Sequence, residues 1–183
     1  MAKAKKTTKK VAPKAKATAK KSRPAAKTAT AKPAAKPATA KPAAKPATPG
    51  GGDGTPGSPW QLTTPPGSSS FIAYRDEAAT PPALVCKVGS TELRYHLRCI
   101  DDLHAMLVAH ADWMPLGGAD EQKPAADGTV EAWGRSASNP VGGWYGLKNG
   151  FRGRFGVYVP CVLERLGLAE LTHDAKNNRM RAK

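Results

Sequence analysis

In "ALVCKVGSTELRYHLR" (83–98), apolar and polar side chains alternate on both sides of Gly89-Ser90. A period of two marks strands with one face on a core, and glycine first in a two-residue connection suits a type II′ hairpin. Pairing about that turn sets Cys86 opposite Leu93 and Leu84 opposite Tyr95 on an apolar face, with Lys87 opposite Glu92 on a polar one. "FIAYRDE" (71–77) reads as another short strand. The period then changes. In "IDDLHAMLVAHADW" (100–113), Leu103, Met106, Leu107 and His110 recur at helical spacing. Asp101 and Asp102 fall in the first turn, where acids suit the helix dipole. Residues 117–128 read as a loop, and "TVEAWGRSA" (129–137) as a short helix stopped by Asn139-Pro140. "VPCVLERLG" (159–167) has Pro160 at the first helical position and Gly167 just past the last.

The remaining segments are less determinate. With a two-residue turn at Asn177-Asn178, "LAELTHDAKNNRMRAK" (168–183) splits cleanly. Leu171, His173, Ala175, Met180 and Ala182 fall on one face, and Thr172, Asp174, Lys176, Arg179, Arg181 and Lys183 on the other. Helix, glycine and a basic-faced hairpin follow one another as the helix and wing do in winged-helix domains, an analogy of order alone. In "GGWYGLKNGFRGRFG" (142–156) the glycines at 143, 146, 150 and 153 form one stripe if the segment is helical. If it is a loop, Trp144, Tyr145, Phe151 and Phe155 are stacking platforms for bases or simply core aromatics. These elements predict one small α+β domain over residues 59–183, built of antiparallel hairpins and about four short helices.

No such periodicity exists upstream. Residues 1–58 contain no Trp, Phe, Tyr, Leu or Ile, and carry 15 Lys or Arg against one acid, Asp53, for a net of +14. Residues 59–183 carry 14 basic and 13 acidic residues, for a net of +1. A segment without large apolar residues cannot offset about 1–2 kcal/mol of chain entropy per residue, so residues 1–58 are expected to be a disordered tail and linker. Eleven of its cations precede residue 28, forming a dense arm. The other four, Lys32, Lys36, Lys41 and Lys45, sit in a nine-residue phrase written three times, "RPAAKTATA", "KPAAKPATA" and "KPAAKPATP", before a Gly/Pro/Ser stretch. Prolines at that density favour extended geometry at about 3.1 Å per residue, which separates those lysines by more than a Debye length of about 8 Å. They barely repel one another, yet each can meet a phosphate.

The Lys/Ala/Pro phrasing of residues 2–49 resembles the tails of linker histones and of bacterial histone-H1-like nucleoid proteins. That resemblance implies binding to DNA without sequence preference. The segments "DDLHAMLVAHADW", "ADEQKPA", "NPVGGWYGLKNGFRGRF" and "NNRMRA" resemble a bacterial family known only as a domain of unknown function, which implies no activity.

Candidate chemistry is sparse. The three cysteines, 86, 99 and 161, form no CxxC and read as reduced cytosolic thiols. His96, Cys99 and His104 match no zinc spacing. His110 and His173 read as packed core histidines. No nucleophile elbow, P-loop or dinucleotide fingerprint occurs, and no cofactor or enzymatic activity is expected. No apolar stretch suits a signal peptide or membrane span. A polyanion partner remains: nucleic acid, with DNA ahead of RNA, which points to a cytoplasmic, nucleoid-associated protein. The candidate contacts are Lys3, Lys5, Lys6, Lys9, Lys10, Lys14, Lys16, Lys20, Lys21, Arg23 and Lys27 in the arm. In the domain they are Lys148, Arg152, Arg154, Lys176, Arg179, Arg181 and Lys183. An RNA- or ribosome-associated factor, and a protein-interaction module localised by its tail, are the alternatives.

Overall fold

The 83–98 hairpin takes the expected register. In a computed structural model that describes residues 51–120, 122–148 and 154–183, β3 (Ala83–Val88) pairs with β4 (Thr91–His96). Leu84 lies opposite Tyr95, Cys86 opposite Leu93 and Lys87 opposite Glu92, with Gly89 in the turn at φ 57°. β2 (Ser70–Asp76) adds to β3, and β1 (Trp60–Thr63) adds to β2, giving a four-stranded antiparallel sheet in chain order. Its inner face collects Trp60, Leu62, Phe71, Ala73, Leu84, Cys86, Leu93 and Tyr95, all buried. Val85 is also fully buried on the opposite face, between Tyr74 and Arg94, so that face is not simply open.

The three helices bury their apolar stripes. α1 (Cys99–His110) buries Cys99, Ile100, Leu103 and Leu107, and ends at Ala111 in the left-handed region. His110 lies outside that stripe and is exposed, contrary to the core position expected for it. α2 spans only Val130–Trp133; the Thr129 hydroxyl accepts from the Ala132 N–H as an N-cap. α3 (Phe155–Arg165) starts five residues earlier than expected, so Pro160 lies inside it. An interior proline loses one backbone bond and costs about 3 kcal/mol. The compensation is the burial of Phe155 and Tyr158, each worth about 1.5–3 kcal/mol. Gly156 makes this start feasible, since a Cβ there would overlap the Leu116 carbonyl. Gly167 follows the helix as expected, at φ 75°. Residues 142–148 are not helical, so three helices are present among the described residues instead of about four.

The C-terminal strands differ from expectation in register. β6 (Ala169–Leu171) and β7 (Arg179–Ala182) pair with Leu171 opposite Met180 and Glu170 opposite Arg181. A two-residue turn at Asn177-Asn178 would have set Ala175 and Asp174 in those places. Residues 172–178 instead form a loop closed from within by buried Asn178. Its carboxamide accepts from the Asp174 N–H at 2.7 Å and donates to the Asp174 carbonyl at 2.9 Å. The shift is an even number of residues, so Leu171, Met180 and Ala182 still face inward while Arg179 and Arg181 face outward. His173 is carried off the apolar face into the loop. A third strand, β5 (Met114–Pro115), pairs with β7, giving the order β5-β7-β6 and an inner row of Met114, Met180 and Leu171.

Residues 51–58, read as the end of a linker, are held against the sheet. The Arg75 N–H donates to the Gly54 carbonyl at 2.8 Å, the Arg75 guanidinium donates to the Asp53 carbonyl at 3.3 Å, and Asp53 and Gly54 N–H groups donate to the Ser58 carbonyl at 3.0 Å.

Candidate nucleic-acid interface

β7 presents its cations by alternation: Met180 points into the core, so Arg179 and Arg181 stand on the outer face, with Lys183 exposed beyond them. Lys176 is exposed in the loop that leads into β7. The structure therefore brings four of the expected contacts to one strand and its loop. They are not equivalent. Arg181 donates through both Nε and Nη2 to Glu170 Oε2, at 2.9 and 2.7 Å, and lies over the Trp113 ring with 4.7 Å to its centroid. Its charge is neutralised and its plane already stacked. Arg179, Lys176 and Lys183 make no ion pair among the described residues.

The other candidates lie elsewhere. Arg154 is the N-cap residue of α3, in the left-handed region at φ 62°, and pairs with Asp120 at 2.8 Å. Lys148 is exposed beside β4 and lines a narrow cleft with Glu92 and Trp144. Arg152, and the arm residues from Lys3 to Lys27, lie outside the described residues.

The aromatic segment is core. Tyr145 and Phe155 are fully buried, and with Trp133 they form a stack in which Tyr145 lies 5.4 Å from each neighbour's ring centroid. Trp144 meets Tyr95 edge-on at 5.7 Å. The Tyr145 hydroxyl donates to Asp102 at 2.8 Å, and its pKa is pushed far up by burial and by that bond. Trp144, Tyr145 and Phe155 are thus committed to ring contacts within the domain and are not free platforms for a base; Phe151 lies outside the described residues.

The winged-helix analogy is corrected in one respect. The order helix, glycine, strand pair is present, but the helix that would have to enter a DNA groove, α3, buries eight of its eleven residues. Phe71 of the four-stranded sheet meets Tyr158 edge-on at 5.0 Å, so α3 lies inside the domain.

Two features that matter here were not apparent from sequence. The Trp113–Arg181 stack depends on β5, a strand of two residues. The Glu131–Arg135 pair, in and just after α2 and hydrogen-bonded to the start of α3, is the other. Glu131 is fully buried; its carboxylate accepts from Arg135 Nε at 2.8 Å and from the Gly156 N–H at 2.6 Å. Burial pushes its pKa up, against the lowering effect of those donors. Arg135 also donates to the Lys123 and Ala119 carbonyls, each at 2.9 Å, pinning the 117–128 loop.

A charge-balanced α+β domain behind a lysine-rich segment is the class these observations define. Residues 52–183 match a family of unknown function (DUF6855), and the chain belongs to it. No curated protein and no solved structure matches the chain.

Proposed function

We propose that this chain is a histone-like, nucleoid-associated protein that binds DNA without sequence preference, chiefly through the cations of residues 1–58. The observation that carries this reading is the division of charge, +14 over residues 1–58 against +1 over residues 59–183. An extended lysine chain offers point charges to phosphates and no means of reading base edges. The domain's own cations support the same division of labour. Lys87, Arg94, Arg98, Arg135, Arg154 and Arg181 are each committed to a carboxylate. Of the candidate contacts in the domain, Arg179, Lys176 and Lys183 are left as phosphate contacts, with Lys148 and Arg152 as further candidates. Duplex DNA takes precedence over RNA because, of the stacking platforms that favoured RNA, Tyr145 and Phe155 are buried in the core and Trp144 is packed against it. The role is one of binding, without catalysis.

The test is a salt titration of duplex DNA binding by the full chain. If six to ten lysines contact phosphates, affinity falls by about 10³–10⁵ between 50 and 200 mM salt. Equal affinity at both salt levels would remove this reading, and tighter binding to structured RNA than to duplex would replace it with the RNA reading.

A further inference from the structure

Between the end of β2, the start of α1 and the turn from α3 to β6 lies an open groove of about 400 Å³. Its floor is apolar: Leu97, Ile100, Leu166 and Leu168. Leu166, at 37%, is one of two large apolar side chains exposed among the described residues. Its rim carries two exposed carboxylates, Glu77 and Asp101, neither of which makes an ion pair among the described residues. An apolar floor with an acidic rim suits an extended segment that alternates small apolar residues with lysines. The two rim carboxylates stand against one guanidinium, that of Arg75, which is already bonded to the Asp53 carbonyl, so the groove favours a cationic segment over a phosphate.

The chain itself supplies such a segment next to the groove. Arg75, which lines it, donates to the Asp53 carbonyl, and Arg165, adjacent to Leu166, donates to the Gly52 carbonyl at 3.4 Å. Residues 52 and 53 are thereby held at the groove's wall. Immediately upstream is "KPAAKPATP" (41–49), with two lysines, no acid and three prolines. Lys45 is seven residues from Gly52, a reach of about 20 Å in extended geometry. We propose that residues 41–49 dock in this groove, with Lys41 and Lys45 on Glu77 and Asp101 and the alanines and prolines on the leucine floor. Exposed ion pairs are individually weak. A short tether raises the effective concentration to the millimolar range, so contacts too weak for a free peptide suffice within one chain. Proline-rich segments lose little entropy on docking because they are already extended. The consequence is that Lys41 and Lys45 are withheld from phosphates while the dense arm at residues 3–27 is not. This contact stands whether or not the arm binds DNA.

The experiment is amide NMR on the full chain in low salt, comparing the parent with Glu77→Gln/Asp101→Asn and with Lys41→Gln/Lys45→Gln. Expected are matching losses. The rim variant moves the amides of Ala43, Ala44, Ala47 and Thr48, and the tail variant moves those of Leu97–Asp101 and Leu166–Leu168. Added salt reproduces both sets of shifts, and circular dichroism is unchanged. If neither variant moves the other segment's amides, nothing docks there. If the shifts grow with protein concentration, the occupant is a second copy's tail, and docking within one chain is overturned.

Discussion

Single side chains set two of this domain's energetic sensitivities. Glu131 and Arg135 form an ion pair in which the carboxylate is fully buried and the Arg135 side chain is 14% exposed. Removing one partner of a buried pair leaves an uncompensated charge, at a cost of about 3–5 kcal/mol. Glu131→Ala should lower the urea midpoint accordingly, and a change under 1 kcal/mol would show that water or a rearranged loop takes over the arginine. His173 is a pH-sensitive tie. Nε2 lies 2.8 Å from Glu164 Oε1 and Nδ1 lies 3.0 Å from the Pro65 carbonyl, so both ring nitrogens face acceptors and only the imidazolium donates to both. Burial disfavours the charged ring, but the Glu164 hydrogen bond and charge, the Pro65 carbonyl and the nearby Asp174 outweigh it and raise the pKa above its ordinary 6.5. A raised pKa gives stability that is complete below the unfolded value and lost as pH rises through the folded one. The side chain is 38% exposed, so the effect should be under about 1 kcal/mol. In an NMR titration, Glu164→Gln should lower the His173 pKa, and an unchanged midpoint would remove Glu164 as the cause.

At the level of elements, β7 separates two arginines that look alike in sequence. Arg179 is uncommitted, while Arg181 is paired with Glu170 and stacked on Trp113. Arg179→Ser should reduce the salt slope of DNA binding by about one, with no change in stability. Arg181→Ser should change binding less and cost about 1 kcal/mol, the sum of a weak surface pair and a cation–π contact. Equal effects of the two on binding would mean that Glu170 releases Arg181 when DNA is bound. The β3–β4 hairpin was legible because a glycine-led turn fixed its register and one-face burial fixed its phase. α1 was legible because Leu103, Met106 and Leu107, at three- and four-residue spacing, leave one solution. The β6–β7 register was not, because alternation is unchanged by any even slip, and only the packing of Leu171 and Asn178 distinguishes the pairings. The start of α3 was hidden by Pro160, whose usual place at a helix start was overridden by burial of Phe155. β1 and β5, at four and two residues, carry too little pattern to be read locally.

For the molecule as a whole, the boundary between tail and domain matters more than composition suggests. "GGGDGTPGSP" (50–59) reads as a linker, yet residues 52–58 bond to Arg75, to Arg165 and to one another. A chain beginning at residue 51 should therefore melt as the full protein does, and one beginning at residue 59 should be less stable by about 1–3 kcal/mol, because the Arg75 N–H and guanidinium lose their acceptors. Identical melting of the two would return residues 51–58 to the linker. The tail's contribution is in turn divisible. Residues 1–27 hold eleven cations and residues 28–58 hold four. Each phosphate neutralised adds about 0.9 to the slope of log affinity against log salt. Replacing the four by glutamine removes at most about 1.8 from that slope when Lys41 and Lys45 are held in the groove, and about 3.6 only if they are free, whereas replacing the eleven can remove as much as about 10. Permuting residues 2–40 while keeping their composition, which leaves the docking segment 41–49 as it is, should leave both affinity and slope intact, since point charges carry no sequence information to phosphates. A permuted tail that binds tenfold more weakly would mean that the threefold phrase is itself recognised, and that the contact is more specific than charge alone.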